Sequence, residues 1–213
     1  MQDIHVLDQF DAPCQRPHAL AFDGGRLWIS SVADSHLYAL DLATGDVEDA
    51  GECPGKPWGL AAVADALRVL CGETAEDLRL IRAFVPGVGF MGEPTPSPDD
   101  TGSQLSFDGK RLHVSQWYNK LLLRLAPGGT VERAYALPYG IAAHAIVGAH
   151  AYVLGTDDEA TPDYRLSRLD LDTGAVEDVA RVPHLARGLA YDGTRFWTAV
   201  REQHQLLAFE LPA

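Results

Sequence analysis

Ala19-Leu-Ala-Phe-Asp-Gly-Gly-Arg-Leu-Trp28, Gln104-Leu-Ser-Phe-Asp-Gly-Lys-Arg-Leu-His113 and Gly188-Leu-Ala-Tyr-Asp-Gly-Thr-Arg-Phe-Trp197 are one phrase written three times. Two degraded copies fill the gaps, Gly59-Leu-Ala-Ala-Val-Ala-Asp-Ala-Leu-Arg68 and His144-Ala-Ile-Val-Gly-Ala-His-Ala-Tyr152. With Leu27, Leu67, Leu112, Ala151 and Phe196 taken as equivalent, the steps are 40, 45, 39 and 45 residues. A period of that length with β patterning marks the blade of a propeller.

Each copy reads as antiparallel β. Asp-Gly at 23–24, 108–109 and 192–193 is a tight-turn signal between two apolar runs. A third strand with period-two alternation follows at 36–42, 120–125, 164–171 and 205–211. A second turn (Ala43-Thr-Gly45, Pro127-Gly-Gly129, Asp172-Thr-Gly174) then leads into a short fourth strand that opens Val47-Glu48, Val131-Glu132 or Val176-Glu177. Four antiparallel strands per unit make a propeller blade. The fifth copy runs out after its third strand, and residues 4–13 resemble 176–183, so the N-terminal segment is expected to supply the missing strand and close the ring. The expected architecture is all-β: one five-bladed propeller domain over 1–213, with blades at about 14–53, 54–98, 99–138, 139–183, and 184–213 plus 1–13. The prolines at 86, 94, 96 and 98 predict a long loop in the outer part of the second blade.

The chain has 213 residues with 17 Lys plus Arg against 30 Asp plus Glu, a net charge of −13, which argues against a nucleic-acid partner. No apolar run approaches the roughly 18 residues of a membrane span. The first residues carry neither a basic segment nor an apolar stretch of the secretory kind, and Cys14, Cys53 and Cys71 form no CxxC pair or disulfide framework. A cytoplasmic protein is expected, monomeric or a small homo-oligomer, with a small-molecule ligand, no nucleic acid and no membrane. The cysteines read as small buried packers.

Inner strands crowd toward a propeller axis, and Ala19, Ala21, Gly59, Ala61, Ser106, Ala143, Gly188 and Ala190 are suitably small. At the start of each inner strand one side chain should converge on the axis: His18, Trp58, Ser103 or Gln104, His144 and Arg187. Around them the blade connections bring Arg16, Lys56, Tyr139 and His184. The loops between second and third strands bring Glu73, Trp117, Tyr118, Asp157, Asp158, Glu159, Arg201, Glu202 and His204. Such a concave, aromatic-walled mouth with convergent polar groups is the usual form of a small-ligand site.

Two chemistries are open to the histidines. His18 or His144 could act as a general base, or both could ligate a divalent metal ion with Glu73 and Asp157. The other reading of each is a hydrogen bond to a loop carbonyl. Arg187 could clamp a carboxylate or phosphate, or form a structural ion pair with a loop acid. Trp58, Gln104, Trp117, Tyr139, His184 and Arg201 are candidate substrate-binding residues, the aromatic ones equally readable as inter-blade packing. Asp157-Asp158-Glu159 lacks the spacing of a calcium loop, and Gly87-Val-Gly-Phe-Met-Gly92 opens no helix and so is no dinucleotide fingerprint.

The phrase Pro17-His-Ala-Leu-Ala-Phe-Asp-Gly-x-x-Leu-Trp-Ile-Ser, with Leu-Tyr-Ala-Leu-Asp-Leu-Ala-Thr-Gly, resembles the blades of the streptogramin lyase, gluconolactonase (regucalcin) and glutaminyl cyclotransferase-like propellers. The resemblance runs over nearly the whole chain at blade level. Of these groups the plant-type cyclotransferases have five blades, and their inner strands carry Glu-Gly-Leu where this chain has Trp58-Gly59-Leu60 and Arg187-Gly188-Leu189. The metal-binding acids of the gluconolactonases have no clear counterparts on the rim. The expected function, read from the rim residues, is that of a small-molecule enzyme with acid–base or metal-assisted lyase, cyclase or hydrolase chemistry at the top of the channel, with His18, His144 and Arg187 as its catalytic groups. The competing reading is a non-catalytic propeller that binds a ligand, peptide or protein on the same face.

Overall fold

A computed structural model of the chain describes residues 1–74 and 78–212. The first strand, β1 (His5–Asp11), is followed by four sheets taken directly from chain order. They are β2 (Pro17–Phe22), β3 (Arg26–Ser31), β4 (His36–Asp41) and β5 (Val47–Glu52); then β6 (Lys56–Val63), β7 (Ala66–Gly72), β8 (Leu80–Val85) and β9 (Gly89–Pro96); then β10 (Gln104–Phe107), β11 (Leu112–Gln116), β12 (Leu121–Leu125) and β13 (Val131–Ala136); then β14 (Gly140–Val147), β15 (His150–Thr156), β16 (Tyr164–Asp170) and β17 (Val176–Val182). The fifth sheet takes β18 (Ala186–Tyr191), β19 (Phe196–Val200) and β20 (Gln205–Glu210) and is completed by β1, which pairs antiparallel with β20 from His5↔Glu210 to Asp11↔Gln205. This is the five-bladed, four-stranded propeller read from the repeat, with the ring closed by the N-terminal strand.

The closure is clasped twice. Beyond β1, Ile4 donates its amide to the Arg181 carbonyl at 2.9 Å, and Arg181 returns a salt bridge to Asp3 at 2.6 Å, so the N-terminal segment ties the fourth blade to the fifth. Covering the outer edge of the fifth sheet also removes a free row of backbone donors and acceptors.

The Asp-Gly turns do more than reverse the chain. Asp23 accepts the Gly25 and Arg26 amides on Oδ1, and its Oδ2 takes the indole N–H of Trp28 at 2.7 Å. Asp192 does the same for Thr194, Arg195 and Trp197, and Asp108 for Lys110, Arg111 and the His113 ring. The phrase Asp-Gly-x-Arg-x-(Trp/His) is thus a staple in which one carboxylate closes the hairpin and anchors a fully buried ring in the blade interface. Burial opposes ionisation of Asp23 and Asp192, but the amide and indole donors outweigh it and hold both carboxyls below the ordinary carboxylate range.

The second blade differs from the sequence expectation. Residues 89–96 form the strand β9, paired with β8 through Leu80↔Pro96, Ile81↔Thr95 and Ala83↔Met91, where a long loop is predicted. Pro94 and Pro96 are tolerated because β9 is an outer edge strand whose far side needs no backbone donors. The cysteines are buried and free, and burial pushes Cys14 and Cys71 up to about 12 and Cys53 higher still. Among the described residues no helix is long and apolar enough to cross a membrane.

If the carboxylate staple holds each hairpin to its interface ring, Asp23→Ala and Asp192→Ala should each lower the unfolding free energy in urea by about 1–3 kcal/mol, the cost of stranding buried donors. An unchanged midpoint in both variants would show the turn residues to be dispensable.

Candidate functional site

Four of the five inner strands carry bulges at one level. In the pairing of β2 with β3, Pro17↔Ser31 is followed by Leu20↔Ile29; in β6 with β7, Pro57↔Cys71 is followed by Gly59↔Leu70. In β14 with β15, Ile141↔Gly155 is followed by Ala143↔Leu154, and in β18 with β19, Arg187↔Ala199 is followed by Ala190↔Trp197. An extra residue on one strand bends it and re-aims a side chain. Here the bulges fall where the inner strands leave the crowded axis, and a cavity of about 270 Å³ opens above them. All five blades line it, through His18, Trp58, Ser103, Ala142 and Arg187, and loops add Arg79, Thr101, Gly102, Trp117, Tyr118, Glu159 and Arg201.

The walls are aromatic. Trp58 donates its indole N–H to the Gly72 carbonyl at 3.0 Å, takes the Arg79 guanidinium on its face at 4.6 Å, and meets the His18 ring edge-on at 5.3 Å. Trp117 lies flat on Gly140, where an added Cβ would stand 2.7 Å from its ring, and its amide donates to Ser103 Oγ at 3.2 Å. Tyr118 is exposed on the rim.

The polar groups are mostly cationic. Arg187 is buried, donates to Tyr164 Oη and the Ala186 carbonyl, and pairs with Glu159 at 2.7 Å. Arg201 follows β19 in a short 3-10 turn (Arg201–Gln203) and pairs with Glu202 at 2.9 Å; Glu202 also receives Arg16 at 3.4 Å. Arg79, just ahead of β8, is buried. Burial first, then the charge of Arg187, lowers the Arg201 pKa. His18 is buried, and its Nδ1 has no hydrogen-bond partner among the described residues. Burial, then the charges of Arg201, Arg187, Arg16 and Arg79, push its pKa well below the ordinary histidine value, so its imidazole is neutral at pH 7.

Of the residues singled out in the sequence, the structure gathers His18, Trp58, Trp117, Arg187 and Arg201 in this cavity. It sets others elsewhere. The hairpin of the fourth blade pairs Ile146 with Ala151 as the first pairs Phe22 with Leu27, which puts Ala142, not His144, level with His18. His144 lies two residues deeper, level with Leu20, and is fully buried. Gln104 faces away from the cavity: its Oε1 accepts the amides of Leu60 and Leu105, stitching the second blade to the third. Tyr139 is buried under Arg165 and donates to Ser167. His184 stands in the connection to the fifth blade, where burial, opposed by Asp3, lowers its pKa. Glu73 is exposed next to Gly55, and Asp157 pairs with Arg165 at 3.4 Å on the outer rim, so neither joins His18. It is Glu159, two residues beyond Asp157, that reaches Arg187. Among the described residues no three His, Cys, Asp or Glu side chains cluster as a metal shell. The cavity residues that the repeat does not reveal, Arg79, Thr101 and Gly102, lie outside the repeated phrase.

No protein-family model matches the chain, and no curated protein matches it in sequence. In three dimensions it is similar to the glutaminyl cyclase of Myxococcus xanthus, with a TM-score of 0.72 and 17% identity over 99% of this chain and 98% of that one. It is also similar to the PQQ-bound aldose sugar dehydrogenase of Streptomyces coelicolor, at 0.62 and 15% over 99% and 98% of the two chains. A third similarity, to virginiamycin B lyase from Staphylococcus aureus, has a TM-score of 0.52 and 16% identity over 95% of this chain and 69% of that one. At these identities the shared property is the propeller fold.

Neutral buried histidines make stability acid-sensitive. Burial drives His144 down to about 3 and lowers His18 and His113 as well. Below about pH 6.5 the unfolded chain therefore binds protons that the folded chain does not, and stability falls as pH drops, by up to about 1.4 kcal/mol per pH unit for each such histidine. The staple aspartates add their own loss only below about pH 4. The urea midpoint should decline steadily from pH 7 to 4.5 and more shallowly in His144→Leu; a profile flat to pH 4.5 would contradict the burial of neutral imidazoles.

Proposed function

We propose that the axial cavity is the active site of an enzyme that acts on a small anionic molecule by proton transfer, in lyase, cyclase or hydrolase fashion. The observation that carries this reading is the convergence of Arg79, Arg187 and Arg201 with a neutral imidazole, His18, in one aromatic-walled cavity. Guanidiniums in a partly dry cavity favour a carboxylate or phosphate, and Arg187 and Arg201 can present paired N–H donors to it. Their rim partners Glu159 and Glu202 are each about half exposed, so an entering anion can take over the inner donors while these carboxylates turn to water.

His18 then gains its role from the ligand. In the free protein burial, and after it the surrounding guanidiniums, disfavour its protonation; a bound anion offsets the second of these and so raises its pKa toward the working range of a general base. Trp58 and Trp117 flank the space in which the uncharged part of the molecule would lie. Glutaminyl cyclase and virginiamycin B lyase are enzymes built on propeller folds, which is consistent with this reading but does not choose the reaction. The competing reading, a non-catalytic site for a peptide or protein, draws on the exposed ring of Tyr118 beside the cavity.

The intrinsic fluorescence of Trp58 and Trp117 should change saturably on titration with inorganic phosphate or small mono- and dicarboxylates. Arg201→Gln and Arg187→Gln should each weaken binding about tenfold or more, whereas His18→Asn leaves it within about threefold. Once a turned-over substrate is found, His18→Asn should cut kcat by a factor of about 10²–10⁴. Absence of saturable anion binding, or binding indifferent to both arginine substitutions, would overturn the assignment.

A further inference from the structure

The repeat provides an internal comparison of the five blade interfaces. One level below the cavity, each inner strand offers a residue to the blade before it: Leu20, Leu60, Leu105, His144 and Leu189. The residues they meet are cross-strand pairs of the preceding blade: Ala190↔Trp197, Ala21↔Trp28, Ala61↔Arg68, Ser106↔His113 and Ala145↔Tyr152. Two residues further along each second strand stand Ala199, Ser30, Leu70, Ser115 and Leu154. Leu20 packs in one apolar cluster with Ala190, Trp197 and Ala199; Leu60 packs with Ala21 and Trp28, Leu105 with Ala61 and Leu70, and Leu189 with Ala145 and Leu154.

Between the third and fourth blades all four places are polar: His144 faces Ser106, His113 and Ser115. All four side chains are nine-tenths or more buried. Nδ1 of His113 and the hydroxyls of Ser106 and Ser115 have no hydrogen-bond partner among the described residues, and the His144 ring has at most a weak one, the backbone carbonyl of His113. Buried polar atoms left short of partners at one interface cost more than the apolar packing of the other four, which points to a seam that bonds something besides the protein. Ser106 and His144 also border a recess of about 90 Å³ at the lower mouth of the channel, which gives the seam a path to solvent.

The donor set points to a cation. Asp108 Oδ2 stands 3.0 Å from His113 Nε2 and accepts its proton, so Nδ1 is left as a bare lone pair, buried and without a hydrogen-bond partner among the described residues. A carboxylate behind one imidazole nitrogen, with the other nitrogen free, is the arrangement that orients a metal-ligating histidine. The equivalent tryptophans, Trp28 and Trp197, satisfy the same staple with a single N–H and carry no second polar atom, so histidine at 113 keeps the staple and adds a ligand. His144, the neighbour of His113 and also neutral, supplies a second imidazole in place of a leucine.

We propose that this seam is a metal site separate from the axial cavity, in which His113, through Nδ1, and His144 hold one divalent transition-metal ion. Water completes the shell and is bonded by the Ser106 and Ser115 hydroxyls, and Asp108 acts as a positioning residue. Imidazole nitrogens favour the later first-row ions, zinc, copper, nickel and cobalt, over calcium or magnesium.

The test uses the full chain, stripped with a chelator, dialysed and titrated with Co²⁺, followed by visible absorption and by metal content after gel filtration. One Co²⁺ per chain is expected, with its d–d bands. His144→Leu restores the leucine that the other four interfaces carry, so it should fold with an unchanged or higher Tm and bind Co²⁺ at least a hundredfold more weakly. His113→Trp, the residue of the first and fifth blades, is the second variant and should lose binding likewise. Failure of the native chain to take up Co²⁺, uptake unchanged in both variants, or a crystal grown with Co²⁺ that shows only water in the seam would each overturn the proposal.

Discussion

Everything in this molecule answers to the closeness of its inner strands. A Cβ on Gly59 would stand 2.8 Å from the Leu105 amide nitrogen, and one on Gly188, whose φ is +66, would press against the His18 carbonyl oxygen and stand 3.0 Å from the Leu20 nitrogen. Neighbouring blades therefore meet backbone to backbone at the axis, which explains the alanines, glycines and serines of the repeated phrase. A wide central channel is impossible at that spacing. Along the axis a ligand-sized space opens where the strands splay, and the bulges beginning at Pro17, Pro57, Ile141 and Arg187 mark that level.

The same geometry sorts the charge. With a net charge of −13 the chain as a whole repels anions, yet its acids lie mainly in the turns and outer strands, where the staple aspartates are committed to amide and ring donors. The guanidiniums of Arg79, Arg187 and Arg201 all line the axial cavity. Burial first, and then the neighbouring arginine charges, lower the pKa of Arg201 and hold His18 neutral, while Glu159 and Glu202 reach in from the rim to pair with Arg187 and Arg201. Local field, not bulk charge, decides what the cavity can accept.

The architecture was legible because hairpin chemistry repeats: an Asp-Gly turn five residues before a large ring must recur wherever that staple is used. Much of the cavity was legible too, since His18, Trp58 and Arg187 break the small-residue rule of the inner strands. The misplacements have physical causes. Side chains two apart on a strand share a face, so His144 and Ala142 cannot be told apart by periodicity, and a bulge that shifts the count leaves no sequence mark. Gln104 looks like a rim group, but an amide side chain can cap strand amides across an interface, as its bonds to Leu60 and Leu105 do. Arg79 lies outside the repeated phrase, in a stretch with no counterpart to align against. Prolines at 94 and 96 read as loop because a sequence does not say which strand is an edge.

A repeat protein also supplies its own controls. At the level of the cavity the five equivalent residues are His18, Trp58, Ser103, Ala142 and Arg187, all different, so symmetry has been given up there. One level lower, four blades keep leucine over an apolar or mixed pair, and symmetry is kept for packing. The departure between the third and fourth blades is concerted: His144, Ser106 and His113 depart together from the leucine, alanine and tryptophan of their equivalents in the first and fifth blades, while Ser115 shares its place with Ser30 of the first blade. Independent drift would leave a lone polar residue against apolar neighbours, at a cost of several kcal/mol for a buried, unpaired group. Four polar residues that converge from two blades, one of them already oriented by Asp108, instead form a shared polar environment, whose unpartnered atoms the proposed ion and its waters would satisfy.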